Sequence, residues 1–273
     1  MPAERRSGGR PLRVARNWSG SHVLAWQVGI VLVVIIGWEL GARADLIDPF
    51  FWSYPSKIFT TFKIFVAAGS AYADTWFTLR ATILGFVCGT LSGAAIGLSF
   101  WWSRNYARVA QPFLICFEAT PKLALAPLIV LVFGIGLTSK VALGIALTLV
   151  VTTLTTFMAV RSLDPDSERL FYSLGATRWQ VFCKLVVPSV LPWIISSLRV
   201  NIGLALTGAV IGEFVSSQHG LGRQILYAGE TYDISLIWVA VSILASLSVV
   251  MYLAVGWLEK ILLKGLMHGA AIR

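Results

Sequence analysis

Charge is scarce in this chain, and its absence is concentrated in a few stretches. Only 13% of the 273 residues are Asp, Glu, Lys or Arg, roughly half the share of an ordinary soluble domain. Charged residues are missing altogether from 17–38, 81–103, 123–139, 141–160 and 234–258. A helix needs roughly 20 apolar residues to cross a bilayer, so each gap holds or nearly holds one crossing. These gaps exclude a soluble globular domain.

A sixth apolar stretch, 189–213, is interrupted by Arg199. Backbone groups inside lipid must bond to one another, which favours helices over open strands. We therefore expect an all-α polytopic membrane protein with a membrane domain over 22–260. The six predicted spans are 22–41, 76–99, 112–134, 140–160, 189–213 and 235–258. In the long connection 42–75, we also expect a short amphipathic helix that begins near Pro55.

Reactive groups are equally sparse. The three cysteines are odd in number and scattered, so they predict no disulfide framework. No phosphate-binding glycine loop with Lys and Ser/Thr, no HExxH and no Cys/His cluster occurs. The sequence therefore predicts neither an enzyme nor a bound cofactor or metal. If transport is active, its energy must come from a partner or from an ion gradient.

Basic residues are distributed unevenly between the two sides of the predicted spans. The segments 1–21, 99–111, 161–188 and 259–273 together carry 14 Lys and Arg, and the segments on the other side carry five. Cytoplasmic segments are enriched in these residues, so both termini are expected in the cytoplasm, as a basic tail 1–21 and a C-terminal tail 261–273. The net charge of +9 thus reflects topology and does not indicate a nucleic-acid partner.

Two features of the spans concern packing. Gly85, Gly89, Gly93 and Gly97 recur every four residues in the second span, which places a strip without side chains on one helix face. Such strips let two backbones approach closely, either within the chain or between two copies. The third span contains three prolines, at 112, 121 and 127, and is expected to be bent or broken.

A few ionisable residues fall within the predicted spans, where such groups are candidate functional sites. Glu118 and Lys122 are spaced to form an i,i+4 pair. Arg199 lies about ten residues into the fifth span, and Glu213 ends it. Each is a candidate for the translocation path. The alternatives are a self-neutralised pair, an arginine bonded within the protein, and an interfacial carboxylate.

The connection 161–188 is neither apolar enough to span a membrane nor polar enough for a plain loop. Asp164 is suited to cap a helix that starts at Pro165, and Gly175 to end it. Thr177 can cap a second helix, 178–187, which we expect to end at Pro188. With apolar and aromatic side chains, this helix–Gly–helix segment is typical of a ligand for another protein's groove. The alternative is a helix lying on lipid headgroups.

This segment resembles the cytoplasmic signature loop of permeases from binding-protein-dependent ABC importers. Aligned on Gly175, Leu185 takes the family's Ile position, and Val187 with Pro188 takes its Leu-Pro positions. Arg169, Leu170 and Phe171 stand where the family has Glu-Ala-Ala, so that half departs from the pattern. The resemblance implies ATPase-coupling roles for a set within this loop: Arg169, Leu170, Phe171, Leu174, Gly175, Ala176, Trp179 and Pro188.

The resemblance extends to "PKLALAPLIVLVFGIGLTSK" and "GLGRQI", which look like the nitrate/sulfonate/taurine branch of these permeases. It implies a homodimeric permease in a bacterial inner membrane, two cytoplasmic subunits that bind ATP-Mg, and a periplasmic or lipid-anchored solute-binding protein. The expected solute is a sulfonate-, taurine- or nitrate-like anion, and pyrimidine precursors and aromatic acids are the alternatives. A secondary carrier or channel that works alone is the alternative. Such carriers usually show duplicated halves, and no internal repeat is evident here.

Overall fold

The computed structural model describes residues 20–271, with side chains through residue 264. The predicted basic tail 1–21 and the end of the predicted C-terminal tail fall largely outside these described residues. Within residues 20–271 the chain is helical and contains no strand, as the charge gaps predict. The chain consists of two compact units, and the boundary between them lies between Ser56 and Lys57.

The first unit contains α1 (Gly20–Arg43) and the short α2 (Pro49–Trp52). Nearly all apolar side chains of α1 are exposed, and Ala42 is its only buried residue, as suits a helix surrounded by lipid. At its end, Glu39 accepts hydrogen bonds from the Ser56 amide at 3.0 Å and the Ser56 hydroxyl at 2.7 Å. The helix terminus is thereby joined to the start of the next segment.

In the second unit, most helices form one bundle. Its helices are α3 (Pro55–Ala67, which starts at the boundary), α4 (Ser70–Ser99), α5 (Arg104–Ala119), α6 (Ala126–Phe133), α7 (Leu137–Arg161), α8 (Pro165–Ser173), α9 (Arg178–Val181), α10 (Val187–Val215), α11 (Leu221–Glu230) and α12 (Ile234–Ala271). Helices α4, α7 and α10 pack against one another at the centre, and α12 packs on α10 and α11. The predicted amphipathic helix is confirmed as α3, whose Phe65 is buried with Ala71 and Val239.

Five helical stretches of the described chain are long and apolar enough to cross a membrane. The pair α5 and α6 makes a sixth if it is counted as one span, and its two parts are bent by 80°. The predicted break in this span is therefore present. It falls at Thr120–Pro121, followed by a 3-10 turn over Lys122–Leu125, while Pro112 lies inside α5. Pro121 cannot continue the helical hydrogen bonding.

Several helices extend beyond the bounds of the predicted spans. Helix α4 starts at Ser70, α5 begins at Arg104, where a loop was expected, and α12 continues as a helix through most of the predicted C-terminal tail. The helix expected to end at Pro188 does not end there. A π-helical turn over Phe182–Val186 precedes Pro188, and the stretch Arg178–Val215 is helical throughout. A π-bulge is one way in which a helix accommodates an interruption of its bonding pattern.

Candidate functional site

The segment between α7 and α10 begins with a well-capped helix. Asp164 accepts hydrogen bonds from the amides of Asp166 at 3.0 Å and Ser167 at 3.2 Å, and Pro165 occupies the first turn. The Ser167 hydroxyl also donates to this carboxylate at 2.8 Å. These bonds, that of the Ser167 hydroxyl foremost, hold the pKa of Asp164 below its usual value. The start of α8 is thus fixed by its own sequence.

Gly175 ends α8 in a left-handed turn with φ of +81°. Its amide donates to the Tyr172 carbonyl at 3.0 Å, and the Ala176 amide donates to the Phe171 carbonyl at 3.0 Å. This pair of bonds is a Schellman motif, which satisfies the last carbonyls of a helix. Thr177 then opens α9 with a capping box shared with Gln180. The two helices therefore meet at a defined angle with little freedom between them.

The side chains of this segment divide between an exposed and a packed set. Leu174 is 77% exposed, Leu170 58% and Trp179 61%. Phe171 and Ala176 instead pack against a buried cluster that includes Val160, Val181 and Val186, so they hold the segment to the bundle. After the role that the resemblance implies for them, we call the α8–α9 stretch the coupling segment and its exposed side chains Leu170, Leu174 and Trp179 the coupling face. Arg169 lies beside it, paired with Asp166 at 3.0 Å, and both side chains are about 80% exposed.

Aromatic residues pack the α8–α9 segment against the turn between α4 and α5. Trp179 stacks on Trp102, with ring centroids 6.1 Å apart, and on Phe182, at 5.5 Å. The Arg178 guanidinium lies over the ring of Trp102 at 5.2 Å and bonds its carbonyl oxygen. Trp101 donates from Nε1 to Glu168 Oε1 at 2.5 Å. The α8–α9 segment is thereby attached to the 3-10 turn between α4 and α5 as well as being continuous with α10.

The glycine strip of α4 packs against α7 of the same chain, so of the two interpretations offered by the sequence the structure shows packing within the chain. A Cβ atom at Gly93 would lie 2.6 Å from the Leu149 carbonyl oxygen, and one at Gly85 would lie 3.0 Å from the Gly144 Cα. Atoms added at Gly89 and Gly97 would meet Thr148 and Thr156 of α7. Thr148 and Thr153 also donate to the carbonyls of Gly85 at 3.3 Å and Gly93 at 3.2 Å. The absence of side chains thus permits both close packing and hydrogen bonding between helices.

Glu118 and Lys122 flank the break between α5 and α6. Lys122 Nζ lies 3.9 Å from Glu118 Oε2 and donates to the Glu118 carbonyl at 3.1 Å. The ammonium therefore caps the end of α5 as well as facing the carboxylate. The Glu118 side chain is 49% exposed, which keeps it available to a solute or to a second chain.

Arg199 is held by α12. Its Nε lies 2.5 Å from Glu259 Oε2, its guanidinium lies over the Tyr252 ring at 5.5 Å, and it covers the bare backbone of Gly256. The sequence suggested a solute contact or a structural arginine for this position. The contacts are those of an arginine paired within the protein.

We expect Arg199→Ala to lower the thermal stability of the purified protein, because it leaves the Glu259 carboxylate, whose side chain is only 16% exposed, without its partner. The double variant Arg199→Ala/Glu259→Ala removes both charges and should recover part of the loss. Melting temperatures in detergent measure both effects. Full stability of Arg199→Ala with impaired uptake would contradict the structural role and restore the solute contact.

Glu213 lies at the centre of a polar cluster at the opposite end of the bundle from the coupling segment. It is fully buried and accepts hydrogen bonds from the Thr78 hydroxyl at 2.8 Å and the Gly222 amide at 2.7 Å. Asp74 accepts from the Gly220 amide at 2.8 Å and the Gln224 side chain at 2.6 Å. We call Asp74, Thr78, Glu213 and the Gly220–Gly222 backbone the polar clasp. It fixes the turn between α10 and α11 onto α4.

Lys140, the first residue of the predicted span 140–160, belongs to the same end. It lies in the first turn of α7, is fully buried, and donates to the carbonyls of Ile135 at 2.8 Å and Ser216. Its attraction to the Glu213 carboxylate adds to these bonds. Its stem also packs beside Gly212, where an added Cβ would lie 3.2 Å from the Lys140 Cγ. This lysine therefore connects three elements and does not face solvent.

We expect Glu213→Ala to destabilise the protein by about 2–4 kcal/mol, because the buried donors of Thr78 and Gly222 would both lose their acceptor. Thr78→Val removes the donor to Glu213 and also the acceptor of the Leu221 amide, so it should cost about 1–3 kcal/mol. Denaturation of the purified protein in detergent measures both. Stability in Glu213→Ala equal to that of the unchanged protein, with uptake lost, would instead assign this carboxylate to the path.

The sequence did not single out Trp101 and Trp102, which lie beside Arg178, the carboxylate of Asp74 or the buried Asn201. Asn201 donates from Nδ2 to the Thr152 hydroxyl at 2.8 Å, between α10 and α7. Asp74 and Gly220 are separated by 146 residues, so no local spacing relates them. Among residues 20–264, no group of three His, Cys, Asp or Glu side chains could hold a metal ion.

Comparison with known proteins agrees with this geometry. Residues 81–266 match the family described as "Binding-protein-dependent transport system inner membrane component". The riboflavin transport system permease protein RibX of Chloroflexus aurantiacus is 32% identical over 86% of this chain and 87% of its own length. The taurine transport system permease protein TauC of Escherichia coli is 26% identical over 91% of this chain and 92% of its own.

Two further similarities are informative. The formylaminopyrimidine transport permease protein ThiX of Halalkalibacterium halodurans is 31% identical over 85% of this chain and 92% of its own. An inward-facing structure of the MetNI methionine ABC transporter superposes with a TM-score of 0.60 at 17% identity, covering 68% of this chain and 93% of that one, which supports the fold alone. The chain belongs to the family of binding-protein-dependent ABC importer permeases, membrane-embedded components that are not themselves enzymes.

Proposed function

We propose that this chain is the permease subunit of an ATP-driven importer, that two copies enclose the translocation path, and that the coupling face contacts a cytoplasmic ATPase subunit that binds ATP-Mg. Family membership supports the class of machine. The observation that carries the coupling role is the geometry of the α8–α9 segment. It presents exposed apolar side chains from a rigid turn, and the helix that follows continues unbroken for 38 residues, Arg178–Val215.

Coupling of this kind requires that the ATPase contact the permease differently in its two states. A contact on the coupling face acts directly on the start of Arg178–Val215. Because this stretch also packs against α7 and α12, a tilt at one end is transmitted to the helices that surround the path. The polar clasp holds the far end of the same helix, where a solute-binding protein would dock if both termini are cytoplasmic.

A stand-alone carrier is the alternative class. The purified chain, reconstituted into liposomes with and without its ATPase, separates the two. We expect uptake of a radiolabelled solute only when the ATPase, ATP and solute-binding protein are all present. Uptake driven by an ion gradient in liposomes that contain this chain alone would overturn the importer proposal.

For the solute, we propose a small heteroaromatic compound of the riboflavin or pyrimidine type. Two relatives at 31–32% identity are named for such solutes, and Arg199 is neutralised by Glu259. A taurine- or sulfonate-like anion, the solute expected from the sequence, is the second candidate because relatives with these names match at 26% over 91% of the chain. Competition of formylaminopyrimidine, riboflavin and taurine for uptake in cells that express the complete transporter decides between them.

A further inference from the structure

A basic cavity lies at the end of the bundle that carries the coupling segment. Its volume is about 330 Å³, it is open on one side, and it is bordered by the turn before α5, one face of α5, the end of α7 and the start of α8. Three arginines line it: Arg104, Arg108 and Arg161. The carboxylate of Glu168 is the acidic group in the lining, and one of its oxygens already accepts the Trp101 indole N–H at 2.5 Å.

The positive charge of this cavity is not neutralised within the described part of the chain. There, no carboxylate oxygen lies within 4 Å of the side-chain nitrogens of these three arginines. Arg161 makes one long contact, 3.5 Å to Gln111 Oε1, and lies over the Phe157 ring at 5.7 Å. Arg104 and Arg108 are spaced i,i+4 on one helix face, where like charges repel. An anion in the cavity would relieve this repulsion.

The chemistry of the lining favours a phosphate. A guanidinium presents parallel N–H donors that match two oxygens of a phosphate group, and it stays charged at any physiological pH. The amide of Gln111 adds a further polar group on the same face of α5. Three such side chains around a cavity of this size can surround a tetrahedral anion, whereas a single surface arginine cannot.

The depth of the cavity indicates where such a phosphate would come from. Residues 141–160 of α7 are uncharged, and Arg161 is the first charge after them, so it marks the boundary of the hydrocarbon region. On the membrane side the lining is apolar, with Phe100, Phe157 and Val160. A lining that combines three guanidinium groups with apolar side chains matches an amphiphile whose phosphate is attached to acyl chains.

We propose that this cavity binds a phosphate group, that of an anionic phospholipid headgroup at the membrane surface. Pro165 and Glu168 of α8 are part of its wall, so the bound ligand contacts the base of the coupling segment. This inference goes beyond the proposed transport function and does not depend on the solute or on the ATPase.

Binding of phosphatidylglycerol and phosphatidylcholine to the purified full-length chain, followed by native mass spectrometry, tests the proposal. We expect preferential retention of phosphatidylglycerol and a loss of its affinity of about fivefold for each arginine removed, hence about 25-fold in Arg108→Gln/Arg161→Gln. Lys184→Gln is the matched control, because it removes an exposed positive charge from the same end of the protein outside the cavity. Its affinity should be unchanged.

Inorganic phosphate distinguishes the two sources of the ligand. If phosphate raises the melting temperature of the unchanged protein but not of the double variant, and phosphatidylglycerol is not preferred, the site takes a soluble phosphate. Arg108→Lys/Arg161→Lys keeps both charges and should retain most of the binding, and Arg104→Gln alone serves if the double variant does not fold. Equal affinity for phosphatidylglycerol in all variants, with no effect of phosphate, would overturn the proposal.

Discussion

Gly175→Val is expected to abolish ATP-driven uptake while the membrane helices remain inserted. Gly175 has φ of +81°, a conformation that a β-branched residue adopts only with strain. Nothing lies within 4 Å of a Cβ atom built there, so the effect comes from the backbone and not from a clash. Valine would force the turn open and break the bonds from the amides of Gly175 and Ala176. The coupling face would then lose its fixed orientation.

Gly175→Asn is the matched control for this prediction. Asparagine enters the left-handed region more readily than other residues, and space for its side chain is available. We expect it to retain most of the uptake and to co-purify the ATPase. The measurements are co-purification of the ATPase and uptake of solute by the complete transporter. Normal uptake and co-purification in Gly175→Val would favour a helix that merely lies on lipid headgroups.

Gly93→Leu is expected to reduce the yield of folded protein severely. The first atom of the new side chain would lie 2.6 Å from the Leu149 carbonyl oxygen and 2.8 Å from the Thr152 Cβ. Both belong to α7, and a carbonyl in a helix cannot move aside without breaking its own hydrogen bond. Overpacking of this kind costs about 1–3 kcal/mol even for small additions, and leucine adds three further carbon atoms. The bond from Thr153 to the Gly93 carbonyl would also be lost.

The control for this prediction is Gly203→Leu. Gly203 also lies inside a membrane-spanning helix, α10, but a Cβ atom there would meet nothing within 4 Å. We expect normal yield from Gly203→Leu and a large loss from Gly93→Leu, measured by size-exclusion chromatography in detergent. If Gly93→Leu elutes as a monodisperse species in normal yield, α4 and α7 do not pack as described.

Local features of the sequence predicted the elements that depend on nearby residues. The charge gaps located the spans, because exclusion of charge from lipid acts on every residue of a segment. Asp164, Gly175 and Thr177 predicted the caps and the turn, since these bonds join residues two to five positions apart. The same local reasoning predicted a helix end at Pro188, and that prediction was wrong. The helix passes through it by means of a π-helical turn, which has no evident signature in the sequence.

Contacts between distant residues could not be predicted. Lys140 follows an apolar run and precedes another, which is also the pattern of a loop lysine at a membrane surface. Its burial depends on the carbonyl of Ser216, 76 residues away. The partner of Arg199 likewise lies in α12, beyond the predicted end of the last span. The sequence singled out Arg199 and Glu213 as candidates, and their partners became evident only from the packing of the helices.

Site-directed cross-linking at Leu174 tests the central claim most directly. Leu174 lies at the tip of the coupling face and is 77% exposed, while Leu46, in the first unit, is 83% exposed and serves as the control. Cys88, Cys116 and Cys183 would first be replaced by serine, so that each variant carries one thiol. Each single thiol would be labelled with a photoactivatable maleimide. The account predicts that labelled Leu174→Cys, and not labelled Leu46→Cys, forms a light-dependent cross-link to the ATPase subunit in the assembled transporter, at an efficiency that changes when ATP is bound. No cross-link from Leu174→Cys in a transporter that still takes up solute would contradict it.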